Sequence, residues 1–232
     1  MSTVEAAAAR LDLDVIGLRR ANRTMQQAPG GRRFEVSNPR GSHAIAAGLR
    51  TAVTVDVLGH AGYYCAGMNQ HATVRIQGTV GVGVAENMMS GRVEVGGRAG
   101  QSAGATAHGG LLMIAGDAAA RCGISLKGGD IVVRGSVGHA TAFMAQSGRV
   151  VVLGDAGAAF GDSIYEARLY VRGTVSDLGA DCVEKQMSEV HLRELGDLLE
   201  QAGVTGVAAG EFRRYGSARQ LYHWHPSNAG LV

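Results

Sequence analysis

Along the middle of this chain, aliphatic residues recur in pairs two positions apart, and a glycine follows two positions after each pair. The unit returns every nineteen residues between Val53 and Val175. The glycines are Gly59, Gly78, Gly97, Gly116, Gly135, Gly154 and Gly173. Four residues before them stand Val55, Val74, Val93, Leu112, Ile131, Val150 and Leu169. Two before stand Val57, Ile76, Val95, Ile114, Val133, Val152 and Val171. An aliphatic pair at spacing two marks a short strand that sends alternate side chains inward. Two residues after each glycine only Ala or Val occurs, and seven after it only Ala or Gly.

A fixed period of this length predicts a solenoid, in which no coil buries its apolar face without a neighbour. Leucine-rich repeats need leucines at offsets that are absent here, and helical repeats need about 33 residues or more per unit. The expected fold is all-β: a right-handed parallel β-helix of about seven such coils, with strands about 4.8 Å apart and a C-terminal capping helix and tail. The glycine is expected to turn the corner after each strand, where φ above zero is open to it. Small residues at the other inward positions predict an interior with little room for a ligand. Three residues before the glycines, Asp56, Arg75 and Glu94 alternate in sign on successive coils, and Asp130 and Arg149 share another position. These predict a solvated outer face with surface pairs worth about 0–1 kcal/mol each.

The repeat divides the chain into three parts. Residues 1–31 form an N-terminal cap segment, with a short strand at Leu11–Asp14 and a helix over Ile16–Gln27 stopped by Pro29-Gly30-Gly31. Residues 32–183 form the β-helix. Its first coil, Phe34–Arg50, is degenerate, with Val36 four residues before a stop at Arg40. Residues 184–232 form a helix and a docking tail. Ser188 is placed to cap that helix, which runs to about Gln201 with Leu192, Leu195, Leu198 and Leu199 as its apolar stripe. It is expected to cover the open end of the solenoid or to dock a partner. The second halves of the coils hold Tyr63, Tyr64, Met68, Met88, Met89, Phe143, Met144, Phe160 and Tyr165, which either close the far side of the coils or form an apolar contact surface. Candidate partner contacts are Phe143, Met144 and Tyr165, with Arg213, Arg214, Tyr215 and Trp224 of the tail.

Chemistry is sparse. A net charge of +2 argues against nucleic acid or an anionic membrane as the main partner. The apolar runs are too short to span a bilayer, and Met1–Ala9 lacks the basic start of a secretory signal. An odd three cysteines without a C-x-x-C suit a reducing cytoplasm. Cys65 and Cys122 share a repeat position but stand three coils apart, roughly 14 Å, too far to share a metal. His60, His71, His108 and His139 fall at four different positions, and His223 and His225 flank Trp224. Gly78–Gly83 (GTVGVG) lacks the βαβ context of a nucleotide loop. Asp155, Asp162, Glu166 and Asp181 are the nearest approach to an acidic patch, with no general base evident beside them. No catalytic, cofactor-binding or metal-ligating residue is expected in this chain.

Several runs nevertheless carry a resemblance: Gly128–Gly138 (GGDIVVRGSVG), Phe143–Arg149 (FMAQSGR), Gly154–Gly157 (GDAG), Gly161–Ala167 (GDSIYEA) and Phe212–Arg219 (FRRYGSAR). They resemble the GXGXG domain that ends the large subunit of glutamate synthase and also occurs as a separate polypeptide. Most similar is the third subunit of N-methylglutamate synthase (methylamine–glutamate N-methyltransferase). A second branch shares the β-helix: the corresponding subunit of formylmethanofuran dehydrogenase and of the formyltransferase/hydrolase complex. The resemblance implies a right-handed β-helix without catalytic residues of its own. It implies two partners, a glutaminase-type amidotransferase subunit and an FMN-binding glutamate-synthase-like subunit that also carries the iron–sulfur cluster. A stand-alone β-helix protein, enzymatic or self-associating, is the remaining alternative.

Overall fold

A computed structural model describes residues 7–219. The nineteen-residue period appears in it as strand register. Strands β3 (Thr54–Val57), β4 (Thr73–Ile76), β5 (Arg92–Val95), β6 (Leu111–Ile114), β7 (Lys127–Val133), β8 (Ser147–Val152) and β9 (Arg168–Val171) pair in parallel, each with the next. Every one of these strands ends two residues before a column glycine. Val55 faces Val74, Val74 faces Val93, and the order holds to Val150 against Leu169. All fourteen aliphatic side chains of the two inward columns are 2% exposed or less. A second ladder of single bridges links Ala61, Val80, Ala99, Ala118, Val137, Ala156 and Val175. The expected parallel β-solenoid of about seven coils is therefore present. A cavity among Ala85, Met88, Gly104 and Leu112 measures only about 10 Å³, too small for an organic ligand.

The glycine column has a different cause from the one expected. Only Gly59 has positive φ, at 141°. The other six are excluded from bearing a side chain by space. A Cβ on Gly78 would lie 2.7 Å from the carbonyl carbon of Gly59, and one on Gly173 would lie 2.7 Å from the carbonyl carbon of Gly154. The glycines stack backbone on backbone, each N–H donating to the carbonyl of the one before, from Gly78 on Gly59 at 3.0 Å to Gly173 on Gly154 at 3.1 Å. Three residues on, Gly81, Gly100, Gly138 and Gly157 are likewise closed to a Cβ by the backbone of the coil before. Gly78 and Gly81 of the GTVGVG run belong to these two series, and Gly83 is left-handed.

Left-handed backbone occurs instead in the second half of each coil. Five, seven and nine residues after the glycine, φ lies near +55 to +72° at Tyr64, Ala66 and Met68, at Gly83, Ala85 and Asn87, and so on to Ala159, Gly161 and Ser163. The N–H groups alternate in direction: Tyr64 and Met68 donate to the following coil, and Ala66 donates to the preceding one. From Ala66 to Gly161 the middle position is buried as well as left-handed, and its burial explains the restriction to Ala and Gly, since the flanking left-handed positions hold Tyr64, Arg121 and Met144.

The ends are closed by dissimilar means. At the N-terminal end, β1 (Ala9–Asp12) adds a parallel strand to β2 (Arg33–Ser37), which pairs with β3. Phe34 and Val36 face Val55 and Val57, so Val36 sits at the second inward position rather than the first. The helix expected over Ile16–Gln27 is broken at Gly17 (φ 72°) into α1 (Leu13–Ile16) and α2 (Leu18–Gln26). Helix α2 buries Ala21 and Met25 and lays two amides on the backbone edge of the first coil. Asn22 donates to the Ala44 carbonyl at 2.8 Å and accepts from the Ala46 N–H at 2.9 Å, and Gln26 donates to the Ala47 carbonyl at 2.8 Å. Asn22→Ala is expected to cost about 2 kcal/mol, one for each bond lost. The check is the urea midpoint at unchanged m-value.

At the other end, β10 (Cys182–Lys185) does not stack on β9. The tail strand β11 (Arg213–Ser217) inserts between them, antiparallel to both, so the sheet reads β1 through β9, then β11, then β10. Helix α3 (Glu189–Gln201) does not cap the open end. It lies across the outer face of the sheet. Leu195, Leu198, Leu199 and Ala202 pack with Phe212 on Leu111, Val132, Val151 and Tyr170, while Leu192 is only half-buried. The outer column is thus solvated only over its first coils, where Arg75 reaches both Asp56 (3.6 Å) and Glu94 (3.4 Å). From Met113 onward it turns apolar and serves as the floor for α3 and its neighbours.

Candidate partner-docking groove

The described residues offer no centre for nucleophilic or metal chemistry of the usual kinds. Burial pushes the thiols of Cys65 and Cys122 up to about 12 and that of Cys182 to about 11, so none supplies a thiolate near neutrality. No three His, Cys, Asp or Glu side chains among the described residues come together to hold a metal. No described helix is long and apolar enough to cross a membrane. The acidic residues are dispersed. Asp155 accepts from the N–H (2.7 Å) and hydroxyl (2.8 Å) of Thr174 on the next coil, which hold its carboxyl below the usual range. Asp162 accepts from Ser163 (2.7 Å), Asp181 pairs with Arg219, and Glu166 lines the groove described next.

An open groove of about 690 Å³ lies where β8, the loop before β9, α3, β10 and β11 converge. Five cations line it: Arg149, Arg168, Lys185, Arg214 and Arg219. Two carboxylates, Glu166 and Glu194, also line it. Arg149 and Arg168 are register partners on β8 and β9. Arg149 makes a two-pronged pair with Asp130 (2.6 and 2.8 Å), which raises its pKa further. The Asp130–Arg149 pair expected from the repeat is therefore real, and its arginine lines the groove. Arg168 pairs with Glu194 of α3.

Two cations differ. Among the described residues, Arg214 donates from Nε and Nη2 only to the carbonyl of Gln186, at 3.0 and 2.8 Å, and partial burial lowers its pKa. Lys185 makes no side-chain hydrogen bond or ion pair to any described residue. The two stand directly opposite each other across the β10–β11 ladder. A Cβ built on Gly216 would meet Lys185 Cγ at 3.4 Å and both Arg214 Nη1 and Lys185 Cε at 3.8 Å, so both side chains lie over one point. Tyr170 belongs to the same region. It is fully buried under α3, and its hydroxyl has no hydrogen-bond partner among the described residues. That hydroxyl feels the charges of Arg168, Glu194, Arg214 and Arg149, all of which line the groove.

The candidate contacts from the sequence separate accordingly. Tyr165 (41% exposed) and Arg214 meet in the groove. Met144 (52% exposed) is a surface residue and Phe143 is half-buried. Arg213 is exposed and donates to the Gly173 carbonyl at 2.8 Å. Tyr215 is corrected: it is 2% exposed, edge-on to Phe160 with ring centroids 5.9 Å apart, and belongs to the core. Trp224 lies outside the described residues. Of the other connection residues, Met88 and Phe160 are buried and close the coils, while Tyr63, Met68 and Met89 are exposed. Sequence reasoning missed Lys185 and Arg168, because only the insertion of β11 brings them beside Arg214.

No protein-family model matches the chain. A search of curated proteins finds Protein GlxC of Rhizobium meliloti (strain 1021), 59% identical over 222 residues that cover 94% of this chain and 97% of the relative. At that identity over nearly the full length of both, this chain belongs to the family of Protein GlxC.

Proposed function

We propose that this chain is the non-catalytic scaffold subunit of a glutamate-synthase-like complex, and specifically of an N-methylglutamate synthase forming N-methylglutamate and ammonia from glutamate and methylamine. In this reading it holds a glutaminase-type amidotransferase subunit against an FMN-binding subunit that carries the iron–sulfur cluster. One observation carries the reading. Three of the five runs behind the resemblance meet at the walls of the groove: Phe143–Arg149 and Gly161–Ala167 from successive coils, and Phe212–Arg219 from the distant tail. The filled inward columns add support, since all fourteen of their aliphatic side chains are buried.

Purification of the tagged chain from its own host tests this. The expected result is a large yellow-brown complex containing the two partner types, identified by mass spectrometry, that forms N-methylglutamate. A colourless species holding this chain alone at low concentration overturns the reading.

A further inference from the structure

Residues of like charge directly opposite on paired strands destabilise the pair. Lys185 and Arg214 are such a pair on β10 and β11, and neither reaches a carboxylate of the described residues. A carboxylate entering the groove between Lys185 and Arg214 would relieve this repulsion and pair with both. The remaining walls favour an acidic segment of a chain. Arg168 and Arg149 continue a row of guanidinium groups along the groove, each paired with an acid, Glu194 and Asp130.

We propose that this groove docks an acidic peptide segment of a partner subunit, one carboxylate of which sits between Lys185 and Arg214. Cation clusters recognise acidic motifs in this way, through charge-assisted hydrogen bonds in a partly desolvated cleft. The identification of the partner as a subunit rests on the function proposed above. The recognition chemistry does not.

The test uses the full chain and fluorescein-labelled hexaglutamate, read by anisotropy at about 150 mM salt so that exposed charges are screened. The peptide is expected to bind, and hexalysine is not. Lys185→Glu is expected to weaken binding about tenfold at an unchanged melting temperature. Arg19→Glu, the same change of net charge on the distant helix α2, is expected to leave binding as it is. Absence of hexaglutamate binding, or equal loss in Lys185→Glu and Arg19→Glu, overturns the proposal. Displacement of the peptide by stoichiometric glutarate also overturns it, by assigning the groove to small dicarboxylates.

A second arm separates this inference from the function. If the wild-type chain retains its partners and Lys185→Glu retains them equally, the groove is not the dock and the scaffold reading stands. If the wild type retains none, the scaffold reading falls and the peptide measurement still decides the groove.

Discussion

Val133→Asp is expected to leave the protein unfolded or aggregated. Val133 lies on β7 between its register partners Ile114 and Val152, and it is fully buried within the aliphatic interior. An aspartate there is either ionised without a partner or neutral only after taking up a proton. Each unit of pKa displacement costs about 1.4 kcal/mol, and an uncompensated buried charge typically costs about 3–5 kcal/mol. The lost packing of the valine methyls adds to this, against a total stability of about 5–15 kcal/mol for a domain. The damage spreads, because each coil is held only by its neighbours. Gel filtration and far-ultraviolet circular dichroism read the outcome. A monodisperse variant with the wild-type urea midpoint would show that this column does not face the interior.

Gly154→Ala is expected to destabilise the protein by about 2–3 kcal/mol, and here the sign itself is informative. The new Cβ would lie 2.5 Å from Ser136 Oγ and 2.7 and 2.8 Å from the carbonyl carbon and oxygen of Gly135. The hydroxyl cannot turn aside without giving up the bond it accepts from the Asp155 N–H at 3.0 Å. The Gly135 backbone cannot retreat without straining the column bonds on either side of it, from Gly154 to Gly135 at 3.0 Å and from Gly135 to Gly116 at 3.1 Å. The φ of Gly154 is not in the left-handed region. Were flexibility the reason for glycine, alanine would therefore stabilise by about 0.5–1 kcal/mol through the unfolded chain. Gly196→Ala in α3 is the control. Nothing lies within 4 Å of its Cβ position, so alanine is expected to stabilise there by about 0.5–1 kcal/mol. Urea titration of both variants reads the contrast. A stabilised Gly154→Ala would refute the stacked-backbone account of the column.

What the chain states in its own order is whatever repeats. The inward columns, the strand ends and the pairing register were legible because a coil nineteen residues on meets the same neighbours, so one rule is written seven times. The same redundancy exposed the Asp56–Arg75–Glu94 ladder and the Asp130–Arg149 pair. The reason for the column glycines was not legible, since close approach and positive φ leave the same letter behind. The left-handed positions were hidden for a similar reason: Tyr64, Arg121 and Met144 adopt φ of 58, 61 and 55° without being glycine.

The tertiary structure alone decided what happens once. The apolar turn of the outer column, from Met113 to Tyr170, gave no hint by itself that α3 would lie across it rather than over the open end. The insertion of Arg213–Ser217 between β9 and β10 joins residues from about thirty to more than forty positions apart through a pairing with no second copy to reveal it. That single pairing buried Tyr215, set Lys185 against Arg214 and closed the groove. Nearest-neighbour stacking is local and periodic, and so it is written in the sequence as a pattern. A strand exchange at the end of the solenoid is long-range and unique, and only the balance of backbone pairing and core packing in the folded chain determines it.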